Sequence, residues 1–523
     1  MSDRPAPRRA ELAIIIAIIT AVAIWWTWGA LDPLPVVQDE YSYVLQSKIF
    51  AHGHWTAPPP PVPSSFQQPH VLTSPRVASK FPPGHALLLS LGARVGAPWL
   101  MTLVISGISG AIIFLLAESI AGPWIAVCCW LIWLSDPLNL RFRPGYYSEV
   151  TSGLAWLASW WFLRRWYATK QARWLVYTGL ALGWMAITRP LTALAFAVPV
   201  GALVLTHAFR AHLWRHVFGA MLAGAAVVAI LPLWSKQTTG KWTESPLTRY
   251  QRDYLPFDKP GFGLDTTPPA LHLSPINADV YAEFVGEHRG YTIRRVPSAA
   301  LMRLRSLGIG EWETWRVALV PLAVIGLVTA SAELWFALAC AAALFVGYLS
   351  YGHYYGWTLY YFDAIPVAAF CIANGAATCI RWVKSRWPSR ALVYGLGWGV
   401  PAVLIVLALT TMKTWRRKHI DNAAFDAAFN ASVARAPFQG VVVFVRYAPD
   451  LHPHATVVTN SATLETDRVW VAIDDSLQNA AVLRAANGRV PLLFEEKGTV
   501  LRVHESLLRS MAAQDSLRRA LNR

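Results

Sequence analysis

The sequence predicts a polytopic α-helical membrane protein of about 11 transmembrane helices with a small C-terminal α/β extracytoplasmic domain. Three observations predict it. Apolar residues come in long blocks, such as Ile14 to Trp28 and Ala391 to Thr411, rather than at amphipathic spacing. Only 15% of the chain is charged and 55% is hydrophobic, whereas soluble domains are about a quarter charged. Beyond residue 437 the character changes to short β-branched runs separated by polar stretches.

About 20 mostly apolar residues cross a bilayer. Lipid leaves the backbone no partners except inside a helix or a closed barrel, so many such blocks mean a helical bundle. The candidate spans are 11–30, 98–118, 121–138, 148–166, 173–188, 190–209, 214–234, 313–330, 333–350, 358–379 and 391–411. The segment 85–95 is apolar but short and suits an interfacial or re-entrant helix. The 26 Trp fit interfacial belts. The first block reads as a span, not a cleaved signal, because no small-x-small site precedes Asp32-Pro33 and the run is too long.

The net charge of +16 argues for nucleic acid only until its distribution is read. Arg4, Arg8 and Arg9 precede the first span. Arg164-Arg165 with Lys170 and Arg173, Arg210 with Arg215, and Arg381, Lys384, Arg386 and Arg390 sit at short loops between apolar blocks. That pattern fixes orientation and points away from a nucleic-acid partner. With the N-terminus cytoplasmic, loops 167–172, 210–213 and 380–390 fall inside. Segments 31–97 and 235–312 and the tail from 412 fall outside. Two places run against the rule: Arg141 with Arg143, and Lys413 with Arg416, Arg417 and Lys418. The expected division is a membrane module over 1–411 and an outer α/β domain over 412–523. The five Cys lie inside apolar blocks and read as packing rather than as disulfides or metal ligands.

Within segment 31–97, Glu40 to Ala51 reads as helix and the Pro-rich run Ala57 to Pro63 as an extended crossing. In the tail, Gly440 to Val445 and Arg468 to Ile473 read as buried strands, and Ser476 to Ala486 and Leu507 to Leu521 as helices.

Five motifs carry groups capable of chemistry, and all fall outside in this topology. Asp39 and Glu40 are adjacent in Gln38-Asp-Glu-Tyr-Ser-Tyr43; on a helix they diverge by about 100°, so they need not share one job. The bland reading is a helix-start charge. In Ser79-Lys-Phe-Pro-Pro-Gly-His85 two prolines set a turn and the glycine permits close approach. Lys80 suits a phosphate as a point charge, or it snorkels at a helix end; His85 reads as interfacial packing. In Arg141-Phe-Arg-Pro-Gly-Tyr-Tyr-Ser-Glu149, Glu149 at the start of a span needs a partner or a function; a local pair with Arg143 is the bland reading. Arg189, in Thr188-Arg-Pro190, reads as an interfacial anchor. Tyr351 to Asp363 is an aromatic run entering a span, with Asp363 inside it and in need of a partner.

At these residues the chain resembles the C-type (GT-C) superfamily of membrane glycosyltransferases. Within it, the chain is most similar to the bacterial branch related to protein mannosyltransferases and to the lipid A aminoarabinose transferase. The likeness is carried by Asp39-Glu-Tyr-Ser-Tyr-Val-Leu-Gln46, His70-Val-Leu72, Ser79-Lys-Phe-Pro-Pro-Gly84 and Tyr360-Tyr-Phe-Asp-Ala-Ile-Pro366. It implies an enzyme of a bacterial inner membrane that passes a sugar from a polyprenyl-phosphate carrier to a lipid, glycan or protein acceptor on the periplasmic face. It implies Asp39 as general base, Glu40 as its assistant, and Lys80 as the cation on the donor phosphate. Arg189 and Arg143 are further phosphate candidates. Tyr41, His85, Tyr146, Glu149, Tyr360, Tyr361 and Asp363 are further pocket candidates. One base and a phosphate leaving group imply a single inverting displacement. A divalent cation stays open as cofactor, and the 235–312 loop is expected to choose the acceptor. The chain departs from the family at Gly356-Trp-Thr-Leu-Tyr360, which lacks an Arg expected before the paired aromatics. Two rivals stay open: a flippase or transporter for lipid-linked sugars, and a non-catalytic envelope assembly protein.

Overall fold

The structure is a computed structural model describing residues 6–387, 389–448, 456–497 and 500–521. Helix α1 (Ala6–Trp28) leads into an outer segment holding α2 (Gln38–Ala51), the two-residue strands β1 (Val71–Leu72) and β2 (Ala78–Ser79), and α3 (Gly84–Ala93). The bundle continues with α4 (Trp99–Ala121), α5 (Pro123–Leu134), α6 (Pro137–Phe142), α7 (Ser148–Thr169), α8 (Ala172–Ala186), α9 (Pro190–Ala211), α10 (Trp214–Val228) and α11 (Ile230–Thr239). The middle outer segment holds α12 (Pro246–Tyr254), α13 (Pro275–Arg289) and α14 (Val296–Glu311). Then come α15 (Val320–Val328), α16 (Ala332–Tyr348), a tight 3-10 turn over Thr358–Ala364, α17 (Ile365–Arg386) and α18 (Arg390–Arg435).

Six of these helical stretches are long and apolar enough to cross a membrane: Arg9–Trp28, Trp99–Ala121, Pro190–Ala211, Trp214–Thr239, Thr358–Arg386 and Gly397–Arg435. Thr314–Val328 and Ala332–Tyr348, bent by 113° at their break, make a seventh if counted together. The other expected spans coincide with shorter or more polar helices, such as the 12-residue α5. Small residues let the helices approach. A Cβ on Gly107 of α4 would lie 2.7 Å from the carbonyl oxygen of Ala17 in α1. Gly326 of α15 and Gly375 of α17 likewise leave no room for a side chain between their helices. Bilayer interiors favour such contacts because packing, not hydrophobicity, holds the helices together there. The five cysteines are free, four of them buried, as packing residues.

The tail carries a four-stranded sheet of β3 (Val441–Arg446), β4 (Val469–Ile473), β5 (Val490–Glu495) and β6 (Val500–Val503), in the order β4-β3-β5-β6. β3 runs parallel to β4 and β5, and β6 is antiparallel to β5. Alternation along β3 sends Val441, Val443 and Val445 toward Phe429 and Val433 of α18, while Val442 and Phe444 face Val482 and Phe66. The helices α19 (Asn479–Ala485) and α20 (Glu505–Leu521) complete this unit. α18 runs unbroken through residue 411, so the expected boundary falls inside one helix.

These outer parts converge on α2. Gln38 Nε2 donates to the Thr456 carbonyl at 2.7 Å, and the Tyr41 hydroxyl donates to Asp426 Oδ1 at 2.6 Å. Helix α2 is thereby gripped by the tail on one side and faces the bundle with the other.

Candidate active site

The start of α2 puts its two carboxylates on different sides. Asp39 lines a cavity of about 470 Å³ between the outer segments and the bundle. Its side chain is 36% exposed to that cavity. Burial nevertheless pushes its pKa up to about 6; the nearby Lys80 ammonium pulls it down and Glu149 pushes it up. Glu40 turns away and is buried. Its Oε2 accepts from the backbone N–H of Val36 (2.9 Å) and Val37 (3.3 Å), and its Oε1 from that of Tyr146 (2.8 Å). Burial raises its pKa to about 7 against those three donors. The expected pairing of Asp39 and Glu40 as base and assistant thus meets a geometry in which Glu40 is outside the cavity lining and holds the helix start.

The hairpin β1–β2 presents Lys80. The Lys80 N–H donates to the His70 carbonyl at 2.9 Å, which sets His70 and Lys80 side by side at the hairpin's open end. Asp39 Oδ2 lies 3.4 Å from His70 Nε2. Lys80 Nζ lies 4.8 Å from the Tyr250 ring centre and 5.2 Å from that of Phe81. The turn after it ends at Gly84, whose N–H donates to the Ile187 carbonyl at 2.8 Å, and a Cβ there would strike Ile187 and Thr188. This close approach delivers the Lys80 hairpin to the neighbourhood of Arg189.

Arg189 also lines the cavity. It is ion-paired with the buried Glu149, and its Nη2 donates to the Tyr348 hydroxyl at 2.8 Å. Glu149 therefore pairs with Arg189, correcting the local pair with Arg143, and Arg189 is a cavity cation rather than an interfacial anchor. Arg143 is buried elsewhere: Nε donates to Asn139 Oδ1 at 2.7 Å, and the guanidinium lies over Trp133 (4.8 Å) and Phe362 (5.1 Å). Aromatic contact from a fully buried Arg replaces the carboxylate expected for it.

Among the other candidates, Tyr360 lines the cavity, 5.7 Å from the Arg189 guanidinium. Tyr361 is buried behind it, 3.2 Å from His353 Nε2. Asp363 accepts from Ser152 Oγ at 2.7 Å inside the bundle. His85 is locked between Thr151 Oγ1 (2.8 Å) and the Tyr146 carbonyl (2.9 Å), as packing. Tyr146 donates to the Pro33 carbonyl at 2.7 Å. Tyr41 faces Asp426. Among the described residues no three His, Cys, Asp or Glu side chains gather as a metal site.

The middle segment supplies groups that no motif announced. Asp258 lines the cavity with its Oδ2 3.6 Å from Lys80 Nζ and its Oδ1 accepting from the Tyr351 hydroxyl. The hydroxyl of Tyr250, which underlies Lys80, accepts from the His70 N–H at 3.0 Å. Neither residue sits in a motif that periodicity or spacing could expose. Arg249, the segment's cation nearest Tyr250 in sequence, is paired with Asp253 at 2.7 Å.

No family profile and no curated protein matches the chain. Solved structures do. Helices stacked into a bundle, with an acid–lysine cavity under the connecting segments, form a fold shared with solved structures. In particular, the chain shares the fold of ArnT from Cupriavidus metallidurans bound to undecaprenyl phosphate, at 14% identity and a TM-score of 0.53, over 92% of this chain and 93% of that one. Against ArnT from Cupriavidus metallidurans in the apo state the identity is 14% and the TM-score 0.51, over 93% of each chain.

Proposed function

We propose that the protein is a glycosyltransferase that moves a sugar from a polyprenyl-phosphate carrier to an acceptor on the outer face of a bacterial inner membrane. The observation that supports this best is that Asp39, Lys80 and Arg189 line one cavity, in a fold shared with a protein solved with undecaprenyl phosphate bound.

In this reading the carrier phosphate sits by Lys80 and Arg189, whose charge stabilises the leaving group as it develops. Asp39 takes the proton from the acceptor hydroxyl or similar nucleophile. The freed electron pair forms the new bond to the anomeric carbon, and the bond from that carbon to the phosphate oxygen breaks. The departing pair stays on the phosphate, leaving polyprenyl phosphate. A single displacement without a carboxylate nucleophile inverts the anomeric centre. A base with a pKa of about 6 is well matched to neutral operation. Glu40 serves this step indirectly by fixing the start of α2. The N-terminus lies in the cytoplasm, and the cavity and the 412–523 unit lie outside.

The test supplies purified protein with a panel of polyprenyl-phosphate sugars and follows release of polyprenyl phosphate, comparing wild type with Asp39→Asn and Lys80→Ala. Turnover lost in Asp39→Asn and a weakened donor in Lys80→Ala are expected. Wild-type turnover by Asp39→Asn would remove the base assignment.

A further inference from the structure

We propose that Asp258 drives release of the spent carrier: it is a resident counter-ion for Lys80 that tolerates the donor's phosphate but repels the product's. This rests on the glycosyl-transfer reading above and concerns the middle segment, which was expected only to choose the acceptor.

Lys80 and Asp258 are both almost wholly buried, with side chains 6% and 5% exposed. A buried ammonium needs an opposing charge, and Asp258 supplies it before any phosphate arrives. The contact is loose. Its 3.6 Å exceeds the roughly 2.7–2.9 Å of a charge-assisted hydrogen bond, so the ammonium is free to turn toward a phosphate. The carboxylate is not stranded when that happens, because the Tyr351 hydroxyl still donates to Oδ1. Its backbone is held too: the Asp258 N–H donates to the Leu255 carbonyl at 3.0 Å, and Gln251 Nε2 donates to the Asp258 carbonyl. The carboxylate is therefore a fixed negative charge on the cavity wall, beside the phosphate-holding cation.

Chemistry makes that charge selective. The donor is a phosphodiester with one negative charge. The product is a monoester carrying about −1.5 to −2 at neutral pH. When transfer is complete, Asp39 holds the acceptor's proton and is neutral, and Asp258, 3.6 Å from Lys80 Nζ, is the carboxylate beside the phosphate-holding cation that faces the extra product charge. Repulsion between like charges in a confined, partly dry cavity rises with that charge. Asp258 thus weakens the product more than the donor.

The experiment measures undecaprenyl phosphate binding, donor KM, and single- against multiple-turnover rates for wild type, Asp258→Asn, Asp258→Glu and Lys80→Ala. Thermal melts confirm that each variant is folded. Asp258→Asn is expected to bind undecaprenyl phosphate about tenfold more tightly, with a smaller change in donor KM. Its multiple-turnover rate falls more than its single-turnover rate. Asp258→Glu, which keeps the charge, restores the wild-type pattern. Product affinity that is unchanged or weaker in a folded Asp258→Asn, or equal tightening of donor and product, overturns the proposal while leaving the transferase reading standing. Wild-type protein that binds no undecaprenyl phosphate, with Lys80→Ala indistinguishable from it, overturns both.

Discussion

Asp39 Oδ2 lies 3.4 Å from Nε2 of His70, which ties the start of α2 to the hairpin that carries Lys80. Asp39 and Lys80, the proposed base and phosphate cation, are thereby held in one frame although they sit on separate elements. Since burial raises the Asp39 pKa to about 6, the proposed base is ionised only above that pH. We expect kcat/KM to rise through about pH 6 to a plateau. Asp39→Asn should lose about 10²–10⁴-fold in rate. A pH–rate profile checks this; a flat profile between pH 5 and 8 contradicts the role.

Removing Lys80 alone, with no phosphate in its place, would leave the buried Asp258 without a counter-ion although still bonded to the Tyr351 hydroxyl, at about 3–5 kcal/mol. The informative variant is therefore Lys80→Met combined with Asp258→Asn, which removes both charges. It should melt near the wild-type temperature yet raise the donor KM about tenfold or more. A donor KM equal to wild type in a folded double variant would place the phosphate elsewhere.

Glu40 gives a stability prediction of definite sign. Its folded-state pKa is raised to about 7 from 4.5. The favoured folded form is therefore protonated, so its contribution is fully present below about pH 4.5 and is lost as pH rises through about 7. Glu40→Gln should show a melting temperature less dependent on pH across that window. At low pH it should be the less stable by about 1–3 kcal/mol, because the Gln amide cannot accept where an N–H points at it. Melting curves at pH 4.5 and 7.5 decide it.

Tyr41→Phe removes the donor to Asp426 and leaves that buried carboxylate short of a partner, costing about 1–3 kcal/mol. Catalysis should fall less than stability, since Tyr41 is on the face of α2 away from the cavity. Asp426→Asn should be milder, because the Tyr41 hydroxyl can still donate to the Asn side-chain oxygen. Equal losses in both variants would count against the hydrogen bond as the cause.

The part of the cavity that holds Asp39 and Lys80 was legible because it comes from two short motifs in one segment. Asp39 and Lys80 are separated by 31–97's own hairpin, and local turn chemistry at Pro82, Pro83 and Gly84 announces the approach to residues 187–189. The divergence of neighbouring helix residues likewise anticipated that Asp39 and Glu40 would part. What stayed hidden depends on packing across distant segments. Asp258 meets Lys80 and Tyr351 only after the middle segment folds over the hairpin. Glu149 chooses Arg189 over the nearer Arg143 because α7 and α9 come together, while α6 buries Arg143 against Trp133. The buried Arg316, bound to nearby Glu311 (2.6 Å) and to Asp136 (2.8 Å), was equally invisible in its longer-range pair, because Asp136 lies 180 residues away.

Helix α18 has 46 residues, which at about 1.5 Å each is about 70 Å. The hydrocarbon of a bilayer is about 30 Å thick. The helix is therefore more than twice as long as one hydrocarbon crossing, and the sheet is fastened near its C-terminal end through Phe429 and Val433. Its length is a ruler: it sets the height along the helix at which Asp426 meets Tyr41, and so the level at which the start of α2 is held. An insertion or deletion of a single turn between Thr411 and Asp426 would shift that level by about 5.4 Å, enough to part the two side chains without touching the cavity.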